Sequence, residues 1–188
     1  MEIVIKDIPE EGLSLHFKTG SDGWFHAIVA KSLNEFFQKK DEGSVRFDLF
    51  RTGLNVDCQA DLSVGYHPVC CRCLKVFKSH LDVPFHLTLA PLYESERQLK
   101  LETKNEVHLI KEDLDFSYYE GETFDLGTMV GEQILLALPI QPLCKPNCKG
   151  LCQKCGKDLN KETCNCKEEH VDHRWDVLKT IKPKLKKA

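Results

Sequence analysis

Residues 54–67 read LNVDCQADLSVGYH, and their alternation decides the fold class. Leu54, Val56, Cys58, Ala60, Leu62, Val64 and Tyr66 take every second place, and Asn55, Asp57, Gln59, Asp61, Ser63, Gly65 and His67 take the others. Successive strand side chains point to opposite faces. A period of two held for thirteen residues therefore describes a long antiparallel strand, half on a core and half in water. Upstream, Val45, Phe47 and Leu49 alternate in the same way, with a turn expected at Arg51-Thr-Gly53. Downstream, after Cys73, the pattern resumes in Leu81, Val83, Phe85, Leu87 and Leu89. Strands in succession joined by turns read as a meander. Cys58 falls on the apolar face, where a lone cysteine acts as a small hydrophobe rather than a ligand.

Working outward, residues 2–6 read as a short strand ended by Pro9 and Gly12, and Leu13, Leu15 and Phe17 as another. From Asp22 to Gln38 the apolar residues fall at helical spacing, with Asp22 or Ser21 as N-cap. Residues 91–125 carry ten Asp/Glu against four Lys/Arg, in a pattern that fits a solvated face rather than a catalytic carboxylate pair. A loop is expected around 93–106, and Asp115 to Asp125 reads as an edge strand pair turned at Glu120-Gly121. Leu126 to Leu138 reads as a second helix, capped by Asp125 and stopped by Pro139.

The fold class expected is α+β: an antiparallel meander sheet with two main helices in residues 1–143, then a cysteine-rich zinc ribbon and basic tail in residues 144–188. The 188 residues, 41% hydrophobic and 29% charged, suffice for one sizeable core plus a small metal-stapled appendage. The net charge of -3 conceals a split. Residues 144–188 hold 12 Lys/Arg against 6 Asp/Glu, and residues 1–143 hold 14 against 23, so the C-terminal part is suited to a polyanion. MEIVIKDIPEEG lacks the basic start and apolar core of a signal peptide, and no apolar run approaches the roughly 18 residues of a membrane span. A cytoplasmic location is expected, where thiols stay reduced and clustered cysteines read as metal ligands rather than bridges.

Eight of the ten cysteines fall in four short-spaced pairs. Cys152-x-x-Cys155 and Cys164-x-Cys166 bring four thiolates close enough for a tetrahedral structural Zn2+, and Gly156 supplies the backbone freedom that such a knuckle needs. Cys70-x-x-Cys73 has the same spacing, with Cys71 pointing away, and lies between strands rather than at the start of a helix where a redox C-x-x-C sits. Joined by Cys144 and Cys148 it completes a second set, which would clamp the turn of the sheet to the segment after the last helix. His67, His80, His170 and His173 have no spacing that singles them out as substitutes. Two all-cysteine sites would leave no open position for water, and no phosphate-binding glycine loop or H-E-x-x-H occurs. The metal is read as structural and the protein as no enzyme.

The order CCRCL at 70–74, EQILLALPIQPLC at 132–144, CKGLCQKCGKDLN at 148–160, CNC at 164–166 and DHRWDVLKTI at 172–181 resembles the bacterial YceD family. The G-L-C-x-x-C-G-x-x-L-N core and the D-x-R-W-x-x-L close are its most specific features. That resemblance implies a non-enzymatic cytoplasmic factor supporting accumulation or processing of 23S rRNA and large-subunit biogenesis. Its partner would be 23S rRNA, its precursor or a large-subunit assembly intermediate. The residues fit such a partner. Lys145, Lys149, Lys154 and Lys157 surround the knuckles, and Arg174, Lys179, Lys182, Lys184, Lys186 and Lys187 follow in a basic tail able to neutralise phosphates. Trp175 suits stacking on a base or anchoring the tail with Val177, Leu178 and Ile181. The alternative is a scaffold whose acidic N-terminal part recruits a ribosomal protein or an RNA-processing enzyme. A thiol-redox or metal sensor is disfavoured by closed four-thiolate sites.

Overall fold

The alternation at 54–67 becomes the central strand of a five-stranded sheet. The computed structural model describes residues 1–92 and 116–166. Its elements are β1 (Glu2–Val4), β2 (Leu13–Lys18), α1 (Gly23–Leu33), β3 (Gly43–Thr52), β4 (Asn55–Tyr66), β5 (Ser79–Pro91), β6 (Phe116–Tyr119), β7 (Thr123–Asp125) and α2 (Leu126–Ala137). The chain forms two compact units, Met1–Cys70 with Lys75–Cys144, and Cys71–Leu74 with the residues from Lys145 onward.

In the first unit, β2, β3, β4 and β5 pair antiparallel in sequence order, which is the expected meander. Thr52 pairs with Asn55, so the β3–β4 loop is the two residues Gly53-Leu54. Gly53 has φ +65°, which the first position of a tight hairpin turn can require. Leu54 is therefore a turn residue, 52% exposed, rather than the first member of the apolar face. From Val56 onward the alternation holds: Val56, Cys58, Ala60, Leu62 and Val64 are buried, as are Val45, Phe47 and Leu49 of β3. Phe47 lies in one row with Leu15, Ala60 and Phe85 across four strands, its ring edge-on to Phe17 and Phe85. Cys58 is a core residue, and burial pushes its thiol up to about 12.

Phe25, Val29 and Leu33 of α1 and Leu126, Met129, Val130 and Ile134 of α2 complete that core, each series recurring at helical spacing. The two helices approach closely along a seam of small residues. A Cβ on Gly127 would lie 3.3 Å from Ile28 Cδ1, and one on Gly131 would lie 3.3 Å from Ser32 Oγ.

Three expectations are corrected. The helix from Asp22 ends at Leu33 rather than Gln38, because Asn34 turns the backbone to φ +49°, and a 3-10 turn over Asn34–Phe36 follows. Asp22 holds the N-cap position but its carboxylate accepts from Lys18 N–H and the Ser21 hydroxyl, tying it to the preceding turn instead of the helix. The strand pair expected within 115–125 is two strands in different sheets. β6 adds to β5 in parallel, with Tyr119 donating to the carbonyl of Leu54 at 2.6 Å, and β7 pairs antiparallel with β1 while burying Phe124. A parallel partner requires a crossover of a dozen residues or more, which the span 92–115 is long enough to supply. The loop expected at 93–106 lies outside the described residues.

Asp125 caps α2 as expected, accepting from the N–H groups of Gly127 and Thr128 at 3.1 and 3.0 Å. Burial pushes its carboxyl up. Hydrogen bonds from the Met1 amine, the Thr128 hydroxyl and those two N–H groups outweigh it and hold the pKa at about 2. A carboxyl lowered in the folded state contributes stability that is present above its unfolded value of 3.8 and is lost as pH falls toward 2. Asp125→Ala should cost about 1 kcal/mol at neutral pH. Asp125→Asn should keep most of the cap and flatten the pH dependence between 4 and 2, read from urea midpoints at pH 7, 4 and 2.5. Equal pH dependence in parent and Asn variant would refute this assignment.

The second unit has a different construction. Its described residues are held by turns and hydrogen bonds, and buried positions are few: Cys73, Cys148 and Gly150. Arg72 Nη1 donates to the carbonyl of Cys148 at 2.9 Å and the Arg72 carbonyl accepts from Leu151 N–H at 3.0 Å. Gly150, at φ +74°, makes that approach possible, since a Cβ there would stand 2.9 Å from the Arg72 oxygen.

Candidate metal centres

Both C-x-x-C segments adopt one knuckle geometry. Cys70 N–H donates to the Lys75 carbonyl at 2.9 Å, and Cys152 N–H donates to the Lys157 carbonyl at 2.8 Å. The residue after the second cysteine takes a positive φ in each, +58° at Leu74 and +72° at Gly156. An isolated bridge closes each base, Val69 to Val76 and Leu151 to Asp158. Four residues separate donor from acceptor in both, so spacing alone brings the thiols to one side of a tight loop.

The sulfurs of Cys70, Cys73, Cys144 and Cys148 all lie within 4.8 Å of one another, and so do those of Cys152, Cys155, Cys164 and Cys166. A tetrahedron of Zn–S bonds of about 2.3 Å has sulfurs about 3.8 Å apart, so both sets fit the ion with at most a small contraction. Each set is able to hold a metal. They differ in exposure: Cys70, Cys73 and Cys148 are buried with Cys144 half-buried, whereas Cys155 and Cys166 are exposed with Cys152 and Cys164 half-buried.

Electrostatics of the exposed set favour a cation. N–H groups of Cys155 and Lys154 aimed at the Cys152 sulfur, with help from neighbouring thiols, hold its pKa at about 6. Cys166 is pushed up to about 12 by its bond with Cys155, by burial and by Cys152. The backbone N–H of Cys166 pulls Cys164 down, but interaction with Cys152, burial and the neighbouring thiols' charges outweigh it and raise that thiol. One thiolate forms readily and resists the next, the conflict that a dication at the centre relieves.

Cys71 is exposed and joins neither set, as the spacing implied. His67 pairs with Asp41 at 3.1 Å, away from both sets, and His80 sits on the outer face of the sheet. There Ser63 Oγ lies 2.7 Å from His80 Nε2, and Asp82 Oδ1 lies 3.3 Å from that same nitrogen. A hydrolytic triad needs the carboxylate on the opposite nitrogen, so this trio lacks the geometry of an activated nucleophile. Lys145, Lys149, Lys154 and Lys157 are all exposed. Arg174, Lys179, Lys182, Lys184, Lys186 and Lys187 lie outside the described residues, as do His170, His173 and Trp175.

Two residues escaped the sequence reading: Arg72, which ties its knuckle to Cys148, and Asn160. The Asn160 amide donates to Cys148 Sγ at 3.4 Å and to Asp158 Oδ1 at 2.9 Å. Its place at the end of G-L-C-x-x-C-G-x-x-L-N was the available signal. Among the described residues no helix is long and apolar enough to cross a membrane.

A family model described as Large ribosomal RNA subunit accumulation protein YceD matches residues 58–182. An uncharacterized protein of Mycobacterium tuberculosis is 30% identical over 109 residues, 58% of this chain and 47% of the relative. The chain thus spans about half the length of the mycobacterial relatives it matches. The chloroplastic Large ribosomal RNA subunit accumulation protein YCED homolog 1 of Arabidopsis thaliana is 30% identical over 66 residues, 35% of this chain and 21% of that one. Its Zea mays counterpart is 40% identical over 48 residues, 25% of this chain and 16% of that one. No solved structure matches the chain.

Proposed function

The chain belongs to the YceD family, and from that premise we propose that it is a non-enzymatic, zinc-carrying cytoplasmic factor that supports accumulation of large-subunit ribosomal RNA by binding that RNA or a pre-ribosomal particle. The observation that carries the proposal is the family match, which takes in all eight paired cysteines and the lysines around them. Cys70, Cys73, Cys144 and Cys148 would hold one Zn2+, and Cys152, Cys155, Cys164 and Cys166 a second. Each ion would supply cross-linking rather than Lewis acidity, because four thiolates leave no coordination position for a reactant. The knuckles in turn fix the backbone on which Lys145, Lys149, Lys154 and Lys157 project into solvent. Cations on a rigid, metal-closed loop lose little order on meeting a phosphate backbone, and the contacts they form depend on salt.

The test is binding of the zinc-loaded chain to large-subunit rRNA fragments across a salt series. Each phosphate contact contributes about 0.7–0.9 to the slope of log K against log salt. Lys→Gln at all four ribbon positions should therefore lower that slope by about 3 and weaken binding at every salt concentration. The same change at Arg174 and the five tail lysines measures the tail's share. Parent and both variants binding equally weakly would refute direct RNA contact.

A second reading, a scaffold for a basic protein, is favoured by the outer face of the five-stranded sheet. Phe50, Asp57, Thr88 and Phe116 form one row there, with Phe50 and Phe116 exposed, and the carboxylates of Asp61 and Asp82 stand farther along β4 and β5 on the same face. Retention of a protein partner after nuclease treatment, lost on Asp61→Lys with Asp82→Lys, would favour this reading.

A further inference from the structure

Asn160 is a ligand in neither cysteine set, yet its side chain is fixed by three hydrogen bonds, with a fourth from its backbone. Its Oδ1 accepts from Lys149 N–H at 3.0 Å, and its Nδ2 donates to Asp158 Oδ1 at 2.9 Å and to Cys148 Sγ at 3.4 Å. Its backbone N–H donates to the same Asp158 oxygen at 3.0 Å. Those partners dictate which way the amide faces. A backbone N–H can only donate and a carboxylate can only accept, so the NH2 group necessarily meets the sulfur.

The neighbours of Asn160 belong to the knuckle of the exposed set. Asp158 bridges Leu151 at the knuckle's base, Leu159 N–H donates to the Gly150 carbonyl at 3.0 Å, and Cys152 N–H closes the loop on Lys157. A continuous series of hydrogen bonds thus runs from the loop carrying Cys152 and Cys155 to the sulfur of Cys148, which belongs to the buried set. An N–H donor on a thiolate withdraws charge from it. Four thiolates around one dication carry an excess of negative charge, so such a donor slows ligand loss.

We propose that Asn160 is a positioning residue that couples the two cysteine sites: metal among Cys152, Cys155, Cys164 and Cys166 holds the knuckle, and the knuckle holds the Asn160 amide on Cys148. This rests on the reading that both sets bind metal. It gives metal loss an order. The exposed set exchanges first, Asn160 is released, and only then does the buried set become labile. Removal of an outer partner of a metal ligand typically weakens metal binding by about 10–100-fold, which sets the expected size of the effect.

The experiment is a chelator challenge of the zinc-loaded full chain, with pulse alkylation and mass mapping to time the exposure of each cysteine. Cys166→Ser should speed labelling of Cys152 and Cys155, and should also speed labelling of Cys70, Cys73, Cys144 and Cys148 by about 10–100-fold. Asn160→Ala, which keeps all eight ligands, should speed the second group by a similar factor while Cys152 and Cys155 label as in the parent. The double variant should be no faster at Cys148 than Cys166→Ser alone, since both act through one bond. In cobalt-loaded protein, Asn160→Ala should shift the thiolate-to-metal charge-transfer band to lower energy. Fewer than two metal ions per parent chain would overturn the two-site reading itself. Two ions per chain, with Cys148 labelling unmoved by either variant, would overturn the coupling alone. Uniform acceleration at all eight cysteines in Asn160→Ala would also overturn it, by showing a general loosening of the fold.

Discussion

Replacing Cys148 by serine is expected to lower the metal carried by each chain from two equivalents to one, and removing both ions by chelation to strip the ribbon of its protection against hydrogen exchange. The reason lies in what the ribbon has to fold with. Cys148 is 2% exposed, and the other buried positions among the ribbon's described residues are Cys73 and Gly150. No large apolar side chain is fully buried among them, so the area removed from water cannot offset the ordering of about twenty residues at roughly 1–2 kcal/mol each for the backbone alone. Structural zinc binding, on the order of 10–16 kcal/mol in small finger peptides, has the required size. Chelation of the parent should therefore melt residues 145–166 while the helical circular dichroism of the sheet-and-helix unit persists. The checks are metal analysis of parent and variant beside residue-resolved exchange with and without chelator. Full protection of Leu151 and Leu159 in metal-free protein would show that the ribbon folds by other means. A parent with one metal ion, and with Cys70 and Cys73 freely alkylated, would remove the buried site from the account.

Phe47→Ala should cost the sheet-and-helix unit about 3–5 kcal/mol. Phe47 is completely buried, stands in the row of Leu15, Ala60 and Phe85, and meets the rings of Phe17 and Phe85 at 6.4 and 6.3 Å. Those rings project from β2 and β5, strands of the same sheet whose backbones are locked in register, so they cannot close on the space that is left. A domain of this size is held by about 5–15 kcal/mol in all, which makes this one ring a large share. Leu54→Ala is the matched control, an exposed apolar residue in the turn whose loss should change stability by no more than about 0.5 kcal/mol. Urea midpoints of the two variants decide the matter. A small change for Phe47→Ala, or a comparable one for Leu54→Ala, would contradict the placement of the core.

What could be read from the sequence follows from the range of the interactions concerned. The β3–β4–β5 meander was legible because its signal, period-two alternation, is written residue by residue, and because each strand pairs with the next. The end of α1 was not, since Phe36 and Phe37 keep the apolar pattern running past Asn34 and still pack on the core from a turn. β6 and β7 looked like partners because they adjoin in sequence. Their true partners, β5 and β1, are distant, and no local pattern records that choice. At the candidate metal centres the cysteines were legible for the opposite reason: short spacings confine their sulfurs whatever the remainder of the chain does. Arg72 and Asn160 act through single hydrogen bonds to Cys148, 76 and 12 residues away, and one polar side chain leaves no periodic trace.

The two cysteine sets also differ in how they are born. All four ligands of the exposed set lie within residues 152–166, so a ribosome adding about 5–20 residues per second completes them within about 1–3 s. Seventy residues separate Cys73 from Cys144, and the first pair of the buried set stands alone on the nascent chain for about 4–14 s. During that interval two thiols of a half-made site face oxidants and competing metals without the later pair to complete it. The centre best protected in the finished protein is the one most vulnerable while the protein is being made.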